Sequence, residues 1–235
     1  MKHTLLIKDW LSSFLSLLFP RCCVVCGRPL AKGEECICTV CNINLPRTNY
    51  HLRKDNPVER LFWGQIPLER ATSFFFYEKG SDFRLILHRL KYGGQKEIGA
   101  IMGRYMAAEL LSSIFFQGID VIIPIPLHKK KQQIRGYNQS EWIARGIAAV
   151  TGMPIDTESI LRKKNTETQT RKSVFERRDN VEGIFELQHP ETLAGKHILI
   201  VDDVLTTGST TLACASCLVD VEDIRISILT LAMVE

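Results

Sequence analysis

KHILIVDDVLTTGSTT, residues 196–211, runs from an apolar stretch into two adjacent acids and then into a turn of four hydroxyl residues around one glycine. A continuous apolar run of this length reads as a strand buried on both faces. Residues 209–219 read as the helix that follows it. Strand, loop and helix in that order put the loop at the carboxyl end of a strand, where open α/β sheets bind ligands. The loop's backbone N–H groups converge there, and the next helix adds its positive end. With hydroxyls from Thr206, Thr207, Ser209 and Thr210 around Gly208, the turn is a cradle for one monophosphate. Each charge-assisted hydrogen bond to such a group contributes about 1.5–3 kcal/mol. The turn lacks a lysine and the GxxxxGK[ST] pattern, so a triphosphate fits poorly. Asp202 and Asp203 would be repelled by the phosphate. They suit ribose hydroxyls, and a Mg²⁺ that also touches a diphosphate. A plain strand end and a helix cap account for the acids and the hydroxyls one at a time, but not for their union behind an apolar strand.

Working outward, residues 71–78 (ATSFFFYE) read as a strand. Residues 81–92 read as a helix stopped by Gly93 and Gly94. Residues 95–113 repeat apolar side chains at Ile98, Ile101, Met102, Tyr105, Met106 and Leu110, a further helix. VIIPIP (121–126) is a short strand closed by prolines, 138–150 a helix, 196–201 a strand and 224–234 a closing strand. Strands alternating with helices predict an α/β fold with a mainly parallel sheet flanked by helices. Residues 46–57 are polar and read as a linker or loop.

At 235 residues the chain is long enough for one full core and a small appendage, or two modest domains. Its net charge of +4 is unevenly spread. Residues 127–180 hold twelve Lys or Arg against six Asp or Glu. That concentration indicates local handling of an anion and argues against a uniformly basic nucleic-acid coat. No run interleaves aromatics with cations in the way that base stacking prefers.

Six of the eight cysteines lie between positions 22 and 41. Cys23 and Cys26, then Cys38 and Cys41, form two CxxC pairs, and four thiolates in two such turns suit a tetrahedral structural Zn²⁺. Cys22 and Cys36 leave the register open, since Cys22 could replace Cys23. Cys214 and Cys217 read as small buried residues of the last helix. An exported disulfide module would need a leader, and MKHTLLIKDWLSSFLSLLFP has none of the expected form: Lys8 and Asp9 interrupt it and no small-x-small site follows. Leu6, Trp10, Phe14, Leu17 and Leu18 fall at helical spacing, so residues 1–20 are expected to form an amphipathic helix. The segment is too short and interrupted to span a bilayer. The expectation is a cytoplasmic protein with reduced thiols.

Several stretches together carry a family resemblance. They are the CxxC pairs followed by Leu45 and Pro46, LKYGG (90–94), IPIPLH (123–128), RGYNQS (135–140), Gln169 with Arg177, Asn180-Val-x-Gly183-x-Phe185, and VDDVLTTGST (201–210). In this order they resemble the ComF family of bacterial competence proteins. VDDVLTTGST itself looks like the phosphoribosyl pyrophosphate (PRPP) signature of type I phosphoribosyltransferases. The resemblance implies a zinc module over 21–50 and a phosphoribosyltransferase-like domain over 60–235. It implies PRPP, or another ribose 5-phosphate compound, with Mg²⁺ as ligand, held by Asp202, Asp203, Thr206, Thr207, Gly208, Ser209, Thr210, Lys91 and Arg135. If the protein is active as a phosphoribosyltransferase, Asp202, Asp203, Arg171 and Arg177 are the catalytic candidates. The last two sit in the basic stretch 162–180, where this fold carries a mobile hood. IPIPLHKKK resembles the pyrophosphate loop. Natural transformation implies single-stranded DNA and DNA-translocation proteins as partners. Lys91 reads equally as a cation complementing a helix C-terminus, and Lys129, Lys130 and Lys131 as a solvated face.

Overall fold

The computed structural model describes residues 20–163 and 183–234. The expected helix over 1–20 and the candidates Arg171 and Arg177 lie outside the described residues. Four strands, β1 (Leu68–Tyr77), β2 (Val121–Pro124), β5 (His197–Leu205) and β6 (Arg225–Val234), form one sheet in the order β1-β6-β5-β2. All three pairings are parallel. Parallel neighbours cannot be joined by a tight turn, so helices cross between them. They are α3 (Arg84–Tyr92) and α4 (Glu97–Leu110) between β1 and β2, α6 (Gln139–Thr151) after β2, and α7 (Ser209–Ser216) between β5 and β6. Short helices α1 (Thr39–Ile43), α2 (Pro57–Arg60) and α5 (Lys129–Arg135) complete the α-helices among the described residues, beside two 3-10 turns at Tyr50–Leu52 and Pro190–Thr192. A small antiparallel pair, β3 (Ile160–Arg162) with β4 (Phe185–Leu187), stands apart from the main sheet.

Alternation along β5 divides the core. Leu199 and Val201 join Ile86, Leu90, Met102, Met106 and Ile143 of α3, α4 and α6. Ile198 and Ile200 join Val58, Phe62, Ala213 and Leu218 on the other face. Because both faces are covered, β5 and β6 are apolar almost throughout, as parallel strands generally are. The cysteine segment belongs to the first cluster, with Val24, Val25 and Ile37 buried in it. Among the described residues no helix is long and apolar enough to cross a membrane.

Two expectations are corrected. The strand read over 196–201 continues to Leu205, since Asp202 pairs with Thr230 and Val204 with Ala232 of β6. The acids therefore stand on the strand, not in the loop after it. The stretch 46–57, read as a linker or loop, is a loop and not a linker. Thr48 N–H donates to the Phe74 carbonyl at 3.1 Å, Phe76 N–H to the Pro46 carbonyl at 2.8 Å, and Asn56 Nδ2 to the Ala71 carbonyl at 2.9 Å. β1 is the outer strand of the sheet, and its free backbone groups need partners. The polar residues of 46–57 supply them.

Helices α4 and α6 touch backbone to backbone at two glycines. A Cβ at Gly103 would overlap the Ile143 carbonyl, and one at Gly146 would overlap the Ala100 carbonyl. Gly103→Ala is expected to force the helices apart and cost about 1–3 kcal/mol. For a chain of this size that lowers Tm by roughly 2–10 °C, readable in a thermal melt.

At the opposite end of the sheet from the carboxyl ends of the strands, His197 is fully buried, with its Nε2 2.9 Å from Ser227 Oγ. Burial, reinforced by Arg225 and Arg70, holds its imidazolium pKa below the ordinary 6.5. The group is thus neutral when folded and takes up a proton on unfolding. Its contribution is complete above pH 6.5 and is lost as the pH falls below that value toward the folded pKa, at up to about 1.4 kcal/mol per pH unit. Relative to His197→Gln, the urea midpoint of the wild type is expected to fall as the pH goes from about 7.5 to about 5.5.

Candidate functional site

The acid pair sits at the carboxyl end of β5, between groups brought from far along the chain. Asp202 Oδ1 accepts from Ser140 Oγ at 2.9 Å and from the Asp203 N–H at 2.8 Å. Asp203 Oδ1 lies 3.0 Å from Lys91 Nζ, and both side chains are largely covered. Burial and the neighbouring Asp203 charge push the Asp202 carboxyl up to about 7, although the Asp203 N–H, Lys91 and Ser140 oppose the rise. Two close carboxylates that cannot both ionise freely are poised to take a cation or hydroxyl donors.

Directly after the strand the chain bends. Gly208 has φ +76°, a left-handed conformation that favours glycine, and α7 begins at Ser209. Thr206, Thr207 and Thr210 are exposed, while Gly208 is buried with Phe62 behind it. Thr207 Oγ1 and Ser209 Oγ lie 2.8 Å apart. The bend thus has an apolar floor and a hydroxyl-bearing mouth at the start of a helix, where backbone N–H groups remain unpaired within the helix.

Cations from three elements surround this end of the sheet. Lys131 of α5 is partly buried, and its ammonium pKa is lowered by burial and by the charges of Arg162, Arg135 and Lys91. Arg162 of β3 is likewise held below its ordinary value by burial, and the Asp202 charge works against that shift. Arg135 donates to Gln139 Oε1 at 2.8 Å and lies over the Tyr92 ring. A cavity of about 610 Å³ opens beside these groups, lined among others by Pro126, His128, Asn138, Glu141, Leu161 and Arg162. Asp202 and Asp203 do not line it. Lys129 and Lys130 are exposed, whereas Lys131 is partly covered, so of the three lysines it is Lys131 that turns to the cluster.

Ser140 and Arg162 are not singled out by sequence reasoning, and Lys131 is named there only together with Lys129 and Lys130. Ser140 closes RGYNQS, Lys131 closes the lysine run, and Arg162 opens the basic stretch. Their membership in conspicuous stretches was visible, but their convergence depends on the fold.

The four cysteines of the two CxxC pairs come together. The sulfurs of Cys23, Cys26, Cys38 and Cys41 all lie within 4.8 Å of one another, and Cys26 Sγ is 3.7 Å from Cys38 Sγ. A tetrahedron with Zn–S of about 2.3 Å requires S···S of about 3.8 Å, so the set fits a metal such as zinc. Backbone N–H groups already point at the sulfurs: Cys38 N–H to Cys23 Sγ at 3.3 Å and Cys41 N–H to Cys38 Sγ at 3.5 Å. Burial disfavours the Cys23 thiolate, but N–H donors from Cys26, Cys38 and Val25 overcome it and bring the thiol down to about 7. The open register closes here. Cys22 is exposed, and Cys36 is buried beside Met102, its sulfur 3.9 Å from Sδ, with burial raising its thiol to about 12. Cys214 is buried and Cys217 partly so, with Cys217 Sγ on the Cys214 carbonyl at 2.9 Å.

No family model matches the chain. Among curated proteins it is 32% identical to the DNA utilization protein YhgH of Escherichia coli O157:H7 over 83% of this chain and 88% of that protein. It is 26% identical to the competence protein ComFC of Bacillus subtilis strain 168, over 90% of this chain and 83% of that protein. A shorter match, 35% identical, links 39% of this chain to 40% of competence protein F of Haemophilus influenzae. Among solved structures, the glutamine PRPP amidotransferase from B. subtilis, complexed with ADP and GMP, matches 57% of this chain with TM-score 0.37 and 19% identity, and the chain spans 26% of its length. The allosteric regulatory enzyme of purine biosynthesis gives TM-score 0.36 at 17% identity over 57% of this chain and 25% of that one. From the identity and coverage shared with YhgH, and the further matches to ComFC and competence protein F, the chain belongs to the ComF family.

Proposed function

We propose that this ComF-family protein binds PRPP, or a related ribose 5-phosphate compound, with Mg²⁺ at the end of β5, carries zinc on Cys23, Cys26, Cys38 and Cys41, and serves in the uptake of single-stranded DNA during natural transformation. Residues 21–50 act in this reading as the zinc module and 60–235 as the PRPP-binding domain. The observation that carries it is the adjacency of two unlike surfaces: a glycine-centred bend opening α7 and, immediately before it, an acid pair bonded to Ser140 and Lys91. The 5-phosphate would settle on the N–H groups and hydroxyls of 206–210. The ribose hydroxyls would donate to Asp202 and Asp203, whose carboxylates keep acceptor sites beside those bonded to Ser140 and Lys91. Lys91, Lys131, Arg135 and Arg162 would face the diphosphate. Mg²⁺, where bound, offsets diphosphate charge beside the acids. Names of relatives that speak of competence and DNA utilization support the cellular role.

Calorimetry of the full chain with PRPP and Mg²⁺ tests the site, and absence of binding would remove the reading. Pyrophosphate release with candidate amines or bases then separates turnover as a phosphoribosyltransferase from PRPP sensing alone.

A further inference from the structure

The last four residues of RGYNQS, Tyr137, Asn138, Gln139 and Ser140, are polar and yet all buried. They open α6, and a helix start asks only one of them for a cap. Asn138 meets that need, since its Oδ1 accepts the Ser140 N–H at 3.2 Å. The other three side chains reach away to three different elements, each of which ends at the ligand site. Tyr137 Oη donates to the Leu90 carbonyl. That carbonyl lies in the last turn of α3, where helix carbonyls lack intrahelical partners. The next residue is Lys91, the cation on Asp203. Gln139 Oε1 accepts from Arg135 Nη1 at 2.8 Å, at the end of α5. Ser140 Oγ donates to Asp202 Oδ1 at 2.9 Å, on β5. Gln139 carries a second sign. Its Nε2 is buried and has no hydrogen-bond partner among the described residues. Burying a donor in that way is destabilising, and a leucine would avoid it. A polar residue at such a position serves something other than stability.

We infer that Tyr137 and Gln139 are positioning residues of the ligand site: Tyr137 sets Lys91 through the end of α3, and Gln139 aims Arg135, so that cations from two helices meet one diphosphate. Neither side chain touches the ligand, and each acts through the cation it holds. The inference rests on the proposed reading that Lys91 and Arg135 face the diphosphate. Its physical basis is preorganisation. Lysine and arginine carry much rotamer freedom, and fixing them on binding opposes affinity. Tyr137 and Gln139 fix the helix end and the guanidinium before the ligand arrives, so less ordering remains to oppose binding. One short stretch at the start of α6 thereby registers α3, α5 and β5 against one another, with Ser140 completing the set at Asp202.

The test is calorimetry of the full chain with PRPP and Mg²⁺, alongside a thermal melt, in two double-mutant cycles. Gln139→Leu is expected to weaken PRPP binding about tenfold, while Tm stays level or rises because the unpartnered donor is gone. In an Arg135→Ala background the same change is expected to alter affinity less than about twofold. Tyr137→Phe removes one oxygen and keeps the ring packed. It is expected to weaken binding about threefold to tenfold, and less than about twofold in a Lys91→Met background. Should Gln139→Leu not fold, the Tyr137 cycle decides alone. A side chain with a merely structural role would lower Tm and weaken binding equally in both backgrounds. Losses of affinity that persist undiminished in the Arg135→Ala and Lys91→Met proteins, or no loss at all, overturn this inference and leave the proposed function standing. A wild type that binds no PRPP removes both.

Discussion

Cys38→Ser should empty the cysteine centre of zinc and unfold the segment around it. Metal analysis of the purified protein is expected to fall from about one zinc per chain to near none, because a structural site of this type needs all four thiolates. The loss reaches beyond the module. Ile37, Val24 and Cys36 are buried in the same cluster as Met102 and Met106, so releasing 20–45 uncovers the outer face of α4. Metal binding in small zinc modules is folding free energy, about 10–16 kcal/mol in isolated peptides. Here the module also has a packed partner, so a net cost of about 4 kcal/mol or more is expected. Cys22→Ser, at an exposed sulfur, should keep both zinc and Tm. Cys36→Ser should keep zinc but lower Tm modestly, as a buried sulfur beside Met102 is replaced by a hydroxyl without a clear partner. A Cys38→Ser protein that retains one zinc and its melting temperature would contradict the assignment of the ligands.

The elements that could be read from the sequence are those whose side chains report their own environment. β5 and β6 are covered on both faces, so their apolar runs were unmistakable, and α4 and α6 show their buried faces at helical spacing. The CxxC pairs are legible because each turn aims two sulfurs by itself. Legibility fails where the backbone decides. Asp202 and Asp203 look like loop residues, but the ladder to Thr230 and Ala232 keeps them on the strand. The stretch 46–57 looks like a linker because its polar groups serve the edge of β1 and not solvent. The three-residue strands β3 and β4 are too short to carry a period. Likewise Ser140, 62 residues from Asp202, can be placed on that carboxylate only by the sheet. The candidate site was therefore readable as a motif, whereas the groups that set its charge state were not.

The two acids should respond differently to the same substitution, and that difference tests their roles. Asp203→Asn removes the partner of a largely covered Lys91. It should destabilise the fold, since breaking one side of a buried pair strands the other charge. It should also weaken PRPP–Mg²⁺ binding by about 10–150-fold, the equivalent of one lost charge-assisted hydrogen bond. Asp202→Asn should weaken ligand binding comparably yet stabilise the free protein. The folded pKa of Asp202 is raised from 3.8 to about 7, so its contribution to stability is fully present below pH 3.8 and lost as the pH rises through 7. Asparagine escapes that loss. Since Asp202 is only partly buried, a gain of about 1–3 kcal/mol at pH 8, or roughly 2–10 °C in Tm, is expected. Ligand binding runs the opposite way with pH: wild-type affinity should rise through pH 7 as Asp202 ionises, whereas Asp202→Asn should lose that rise. Wild-type affinity that ignores pH between 6 and 8, about the window the Asp202 pKa defines, together with an unchanged Tm in Asp202→Asn at pH 8, would remove the acid pair from the ligand site and leave it a structural feature of β5.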